Sequence, residues 1–183
     1  MTLEQELAAV REAARAHAAE GEDVVAVIPT EPDGGARVYL CAFGRGEAEA
    51  WLAMDAGGRP IADRVLVRDA VSIAALCELA EESAAGGDVG ELRARLVELR
   101  LTENPEGIED AEIAAAELQA ALRPAPRVAS VGYLDAIGLA AARLEQTLGE
   151  VGGSPFAESM KGGVAAAGEL ADDVERRYKG PLG

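Results

Sequence analysis

The sequence predicts an α+β fold: one helix, an antiparallel sheet, then a run of helices. Three observations predict it. The hydrophobic period switches from helical to extended after Gly21 and back to helical after Asp69. Turn signals of Gly, Pro and Asp separate the extended runs at short intervals. Thirty-nine alanines, concentrated in the helical stretches, suit closely approaching helices. Strands first and helices after is the α+β order, not the alternating α/β order.

The first helix is expected over residues 2–20, with Leu3, Leu7, Val10, Ala14 and His17 on one face and Gly21 closing it. Val24 to Ile28 is a β-branched run. Pro32-Asp33-Gly34-Gly35 turns it into a second strand, Arg37 to Phe43. Gly44-Arg45-Gly46 leads to a third strand, Glu47 to Met54. Asp55-Ala56-Gly57-Gly58 leads to a fourth, Pro60 to Arg68. Four strands on short turns read as an antiparallel meander.

About five helices follow. Ser72 caps one carrying Ile73, Leu76, Cys77 and Ala80, which Gly86-Gly87 ends. Asp88 with Glu91 opens the next, with Leu92, Leu96 and Leu99. Asn104-Pro105 places a cap before a proline, ahead of the stripe Ile108, Ala111, Ala115, Leu118 and Leu122. Arg123-Pro124-Ala125-Pro126 is a stiff break. Ser130 starts a helix with the seam Leu134, Ile137, Ala141, Leu144 and Leu148. Gly149 to Gly153 reads as a joint, and Ser154-Pro155 starts a last helix carrying Phe156, Met160, Gly163, Ala167, Ala171 (or Leu170), Val174 and Tyr178. The chain thus divides into 1–70, helix plus sheet, and 71–183, a bundle packed on the sheet as one unit. The small seam residues bury little area each, so the bundle needs a second surface, the sheet or a second copy.

Composition narrows the function. Acidic residues outnumber basic ones 33 to 17, a net charge of −16 at pH 7. That charge opposes a phosphate backbone, so nucleic acid is not an expected partner. It is uneven: −5 over 1–68, −9 over 69–126 and −2 over 127–183. The acidic middle is a solvated helical surface or a patch for a basic partner. No apolar run approaches the roughly 20 residues a membrane span needs. The opening residues lack the basic and apolar regions of a signal peptide, so the cytoplasm is the expected compartment. Cys41 and Cys77 are then expected as free thiols.

Catalytic and metal constellations are incomplete. His17 is the sole histidine. With Cys41 and Cys77 it lacks the paired spacing of a zinc site. Glu78, Glu81 and Glu82 share a helix, but a di-metal bundle wants Glu-x-x-His twice. There is no Gly-x-Ser-x-Gly, and Lys161 precedes its glycines where a phosphate loop needs the reverse. No cofactor or metal is expected.

The sheet carries the candidate site. Regular alternation puts Val38, Leu40, Ala42, Leu52, Met54, Val65 and Val67 on one face. The other face then holds Tyr39, Cys41, Phe43, Trp51, Arg64 and Arg68. An aromatic and cationic face suits stacking and anion recognition. Docking of the later helices would bury it instead. The expected function is a non-enzymatic protein-interaction, scaffold or chaperone-like module, self-associating, with Tyr39, Phe43 and Trp51 as anchors and Arg64 and Arg68 as anion partners. The alternative is a small anionic ligand, bound or turned over between sheet and helices.

Overall fold

The computed structural model describes residues 1–32, 35–87, 89–123, 127–151, 167–169, 171–172 and 176–179. The fold is α+β. The element order is α1 (Leu3–Arg15), β1 (Asp23–Glu31), β2 (Val38–Gly44), β3 (Ala50–Met54), α2 (Arg64–Ala85), α3 (Val89–Thr102), α4 (Ile108–Ala121), β4 (Ala129–Ser130) and α5 (Val131–Val151). The chain forms two compact units. One comprises Met1–Ala75, Pro126–Val131 and Ala166–Gly183; the other comprises Leu76–Ala125 and Gly132–Ala165.

In the first unit, α1 opens on a complete capping box. The Gln5 amide donates to the Thr2 hydroxyl, and the Thr2 amide donates to the Gln5 side chain. Glu4 and Glu6 in the first turn and Arg15 in the last complement the helix dipole. The helix ends at Arg15, earlier than Gly21, so His17 lies beyond it and is exposed.

The sheet is mixed, in the order β3-β2-β1-β4. This corrects the antiparallel meander. β1–β2 and β2–β3 are antiparallel, but the fourth strand is the two-residue β4, parallel to β1 through Thr30↔Ala129 and Glu31↔Ser130. The segment expected as the fourth strand, Pro60 to Arg68, instead enters α2. The Asp63 carboxylate accepts from the Val65 and Leu66 amides at 3.0 and 3.1 Å and caps that helix. Val67, Ala70, Val71 and Ala74 then repeat with helical spacing. The β-branched valines mimicked a strand. Ser72 sits inside this helix, its hydroxyl donating to the Arg68 carbonyl.

Both sheet faces are covered. One packs Tyr39, Cys41, Phe43, Leu52 and Met54 against Val10 and Ala14 of α1. The other packs Val38, Leu40 and Ala53 against Val67, Ala70 and Val71 of α2, with Trp51 beside them. The pairing Tyr39↔Met54, Cys41↔Leu52, Phe43↔Ala50 sets this division. It corrects the expected register: β3 is displaced by one residue, which carries Leu52 and Met54 to one face and Trp51 to the other.

The second unit buries one helical core. Its largest fully buried side chains are Ile108, Leu118, Ile137 and Leu144. The expected stripes of α4 and α5 are the buried ones, with Leu122 and Leu134 partly buried. The boundary between α3 and α4 differs from expectation. Asn104 adopts a left-handed φ of 46° and sends its amide back to the Leu99 carbonyl at 3.0 Å, closing α3. The next helix begins only after Gly107, at φ 81°. Asparagine serves either purpose, and here its tolerance of positive φ wins. Gly149 is still helical in α5. Among the described residues one bounded helix precedes the sheet and four follow β3, fewer than the five or so expected there; residues 167–169 and 171–172 are helical as well. Asp88 lies outside the described residues, as does most of the expected last helix; Ala167 and Ala171 are buried within what is described.

Candidate functional site

The outer edge of β3 is where Phe43 and Trp51 meet Lys179, the only lysine among the described residues. In β3, Trp51 turns its backbone away from β2. Its amide donates to the Arg177 carbonyl at 3.2 Å, and its carbonyl accepts from the Lys179 amide at 2.6 Å. Trp51 and Tyr178 thus form a parallel bridge. Further along the same edge, the Ala53 carbonyl accepts from Ile61 at 2.8 Å and the Asp55 amide donates to Arg59 at 2.9 Å. An edge strand with free amides and carbonyls invites another strand. Here residues 177–179 and 59–61 occupy that edge.

Two side-chain sockets hold the C-terminal stretch. The Tyr178 hydroxyl donates to the Ile61 carbonyl. Burial pushes this phenol up, and the Ala53 amide beside it works the other way. The Lys179 ammonium is bonded to the Glu22 carboxylate and lies 4.7 Å from the centre of the Phe43 ring. The Lys179 contact, then the Ala19 amide, hold Glu22 below the usual carboxylate value of 4.5.

The five expected site residues do not share one face. Phe43 is fully buried on the α1 face, its ring flanked by Lys179. Trp51 lies on the α2 face, partly buried. Tyr39 is also fully buried, and its hydroxyl donates to Glu6. Arg64 and Arg68 are exposed on α2, off the sheet, with Arg68 3.3 Å from Asp172. Phe43 and Trp51 therefore meet the edge site from opposite sides, whereas Tyr39 belongs to a separate cluster. Tyr178, Lys179 and Glu22 were missed. The sequence places Tyr178 only on a helical stripe, and a lone aromatic beside one of just two lysines is the available signal.

The Tyr39 cluster is a clamp. Arg37 bonds Glu6 at 2.6 Å and Glu31 at 2.8 Å, tying α1 to the β1–β2 hairpin. The Tyr39 hydroxyl, then Arg37, hold Glu6 below 4.5, while Arg37 is held more firmly protonated. Glu6 and Glu22 both ionise more readily in the fold than in the unfolded chain. The unfolded chain therefore binds more protons, and the stability these groups supply is present above about pH 4.5 and lost as pH falls through their folded values. Glu6→Gln is expected to make the acid limb of a stability–pH curve shallower than wild type. An unchanged limb by urea unfolding between pH 5 and 3 would contradict the clamp.

Burial also pushes the Cys41 thiol up to about 12. A thiol with that environment carries almost no thiolate near neutrality. Cys41 and Cys77 are both buried and in no disulfide. Neither is expected to react with an alkylating reagent at pH 8 until denaturant is added, as mass spectrometry would show. Among the described residues, no group of three or more His, Cys, Asp and Glu side chains could hold a metal ion. No described helix is long and apolar enough to cross a membrane.

Comparison with protein-family models, with curated proteins and with solved structures gives no match.

Proposed function

We propose that the chain is a non-enzymatic protein-interaction module of the scaffold or chaperone-like kind, acting in the cytoplasm. It takes an extended basic segment of a partner along the outer edge of β3. One observation carries this reading: that edge already holds Arg177-Tyr178-Lys179 in a parallel bridge, through two backbone bonds and two side-chain sockets. Strand addition of this kind draws affinity from main-chain bonds and selectivity from alternate side chains. The net charge of −16 steers basic segments toward the chain. A second copy is one such partner, since its own residues 177–179 have this chemistry.

The test is a random peptide library panned on the 183-residue chain and on its Tyr178→Ala/Lys179→Glu form. Enrichment of extended basic sequences on either, lost in Trp51→Pro, is the expected result. The proline removes an amide that faces outward, not one that pairs with β2. A thermal-shift panel of small anions runs alongside. No peptide enrichment, with stabilisation by an anion, would replace this reading with the anionic-ligand one.

A further inference from the structure

Resting on that reading, we propose that residues 177–179 are an internal stand-in for the partner. They keep the β3 edge closed, and a partner segment with a hydroxyl-bearing aromatic followed by a cation displaces them.

The sockets specify this chemistry. Trp51 offers one outward amide and one outward carbonyl, which residues 177 and 179 satisfy in parallel register. The residue between them is Tyr178. Its ring packs with both cores of the sheet unit, and its hydroxyl reaches the Ile61 carbonyl. A phenylalanine there would fill the space and leave that carbonyl without the bond. The next residue must satisfy Glu22, whose side chain is only 15% exposed, and must lie against the Phe43 ring. A cation does both; a neutral or acidic residue does neither. An occupant is therefore read as aromatic hydroxyl, then cation, in an extended backbone parallel to β3.

The same contacts make the stretch a competitor. A partner binds only the open fraction of the edge, so its apparent affinity falls by that fraction. A tail docked nine-tenths of the time lowers it about ten-fold by the same relation. Weakening the tail without altering Glu22, Phe43 or Trp51 should return the affinity.

The experiment uses the 183-residue chain and a synthetic peptide copying residues 174–183. Trp51 is the sole tryptophan and the peptide has none, so Trp51 emission reports occupancy of the edge. Lys179→Glu in the chain sets two carboxylates against each other and is expected to bind the peptide at least ten-fold more tightly than wild type. The peptide carrying the same Lys179→Glu change is expected not to bind. Tyr178→Phe, which deletes only a hydroxyl, is expected to move affinity in the same direction by a smaller factor. It carries the prediction if circular dichroism finds Lys179→Glu unfolded. Equal affinity for wild type and variants overturns the proposal, as does absence of binding to a folded variant. Library enrichment that is equal with and without the tail substitutions would leave the interaction reading standing and overturn only the stand-in.

Discussion

Phe43→Ala is expected to lower the unfolding free energy by about 3–5 kcal/mol, the usual cost of emptying a buried phenylalanine site. Phe43 is fully buried in β2, within the core that joins Tyr39, Leu52 and Met54 to Val10 and Ala14. Its β3 partner is only an alanine, Ala50, so that neighbour offers little with which to refill the space. The ring also flanks Lys179, so its loss strips one side of the lysine socket. Against a typical total of about 5–15 kcal/mol, the change brings a domain close to unfolding. Urea titration followed by Trp51 emission checks it. Val65→Ala, at a site 70% exposed, is the control and is expected within about 0.5 kcal/mol of wild type. A Phe43→Ala loss as small as the control's would mean that this face is not a core.

Gly44→Ala is expected to be nearly as damaging, for a different reason. A Cβ at residue 44 would stand 1.7 Å from the Glu47 carbonyl oxygen and 2.9 Å from its carbon. Both are backbone atoms, so no side-chain rotation relieves the contact. The turn between β2 and β3 would have to open. That turn is closed by the Glu49 amide on the Phe43 carbonyl at 2.8 Å, next to the Phe43↔Ala50 pair. The cost is expected at the upper end of the roughly 1–3 kcal/mol typical of overpacking. Opening the turn also displaces Trp51, so its emission should shift in the folded baseline. Gly35→Ala, where a Cβ meets nothing within 4 Å, is the control. Near-neutral behaviour of Gly44→Ala would mean the turn has another conformation.

These two sites show what was legible in the sequence. The period of 2 in Tyr39, Cys41 and Phe43 marked a strand with one coherent face, and the stripes of α4 and α5 marked buried helix faces. Local pattern decides such features. The register of β3 was not legible, because it depends on how many residues the turn after Gly44 consumes, and one residue exchanges the two faces. The run Pro60 to Arg68 was misread because β-branched residues suit strands, whereas an Asp63 cap and continuity with Ala70, Val71 and Ala74 favour a helix. β4 is two residues long and owes its pairing to β1, not to its own sequence. The edge site was hidden for the same reason. Trp51 and Phe43 were visible as chemistry, but their meeting with Tyr178 and Lys179 spans more than a hundred residues of chain, and no periodicity reports a contact of that range.

The separation of the arginines from the aromatics bears on function. Arg64 and Arg68 were grouped with the sheet as anion partners, yet they lie on α2, with Arg68 engaged by Asp172. The cationic group beside Phe43 is instead Lys179, already matched to Glu22. The edge therefore presents an acidic socket to whatever replaces the tail, which favours a basic segment over an anion.

The most direct measurement is residue-resolved hydrogen exchange of the Trp51 amide. In wild type this amide bonds only outward, to the Arg177 carbonyl, while its neighbours in β3 pair with β2. The account predicts that Trp51 is protected in wild type and that Tyr178→Ala/Lys179→Glu raises its exchange at least ten-fold, leaving the Leu52 and Cys41 amides unchanged. Adding the peptide copy of residues 174–183 to the variant should restore protection. If Trp51 exchanges alike in both chains, or if the variant loosens Leu52 and Cys41 as much, the edge is not a closable docking site.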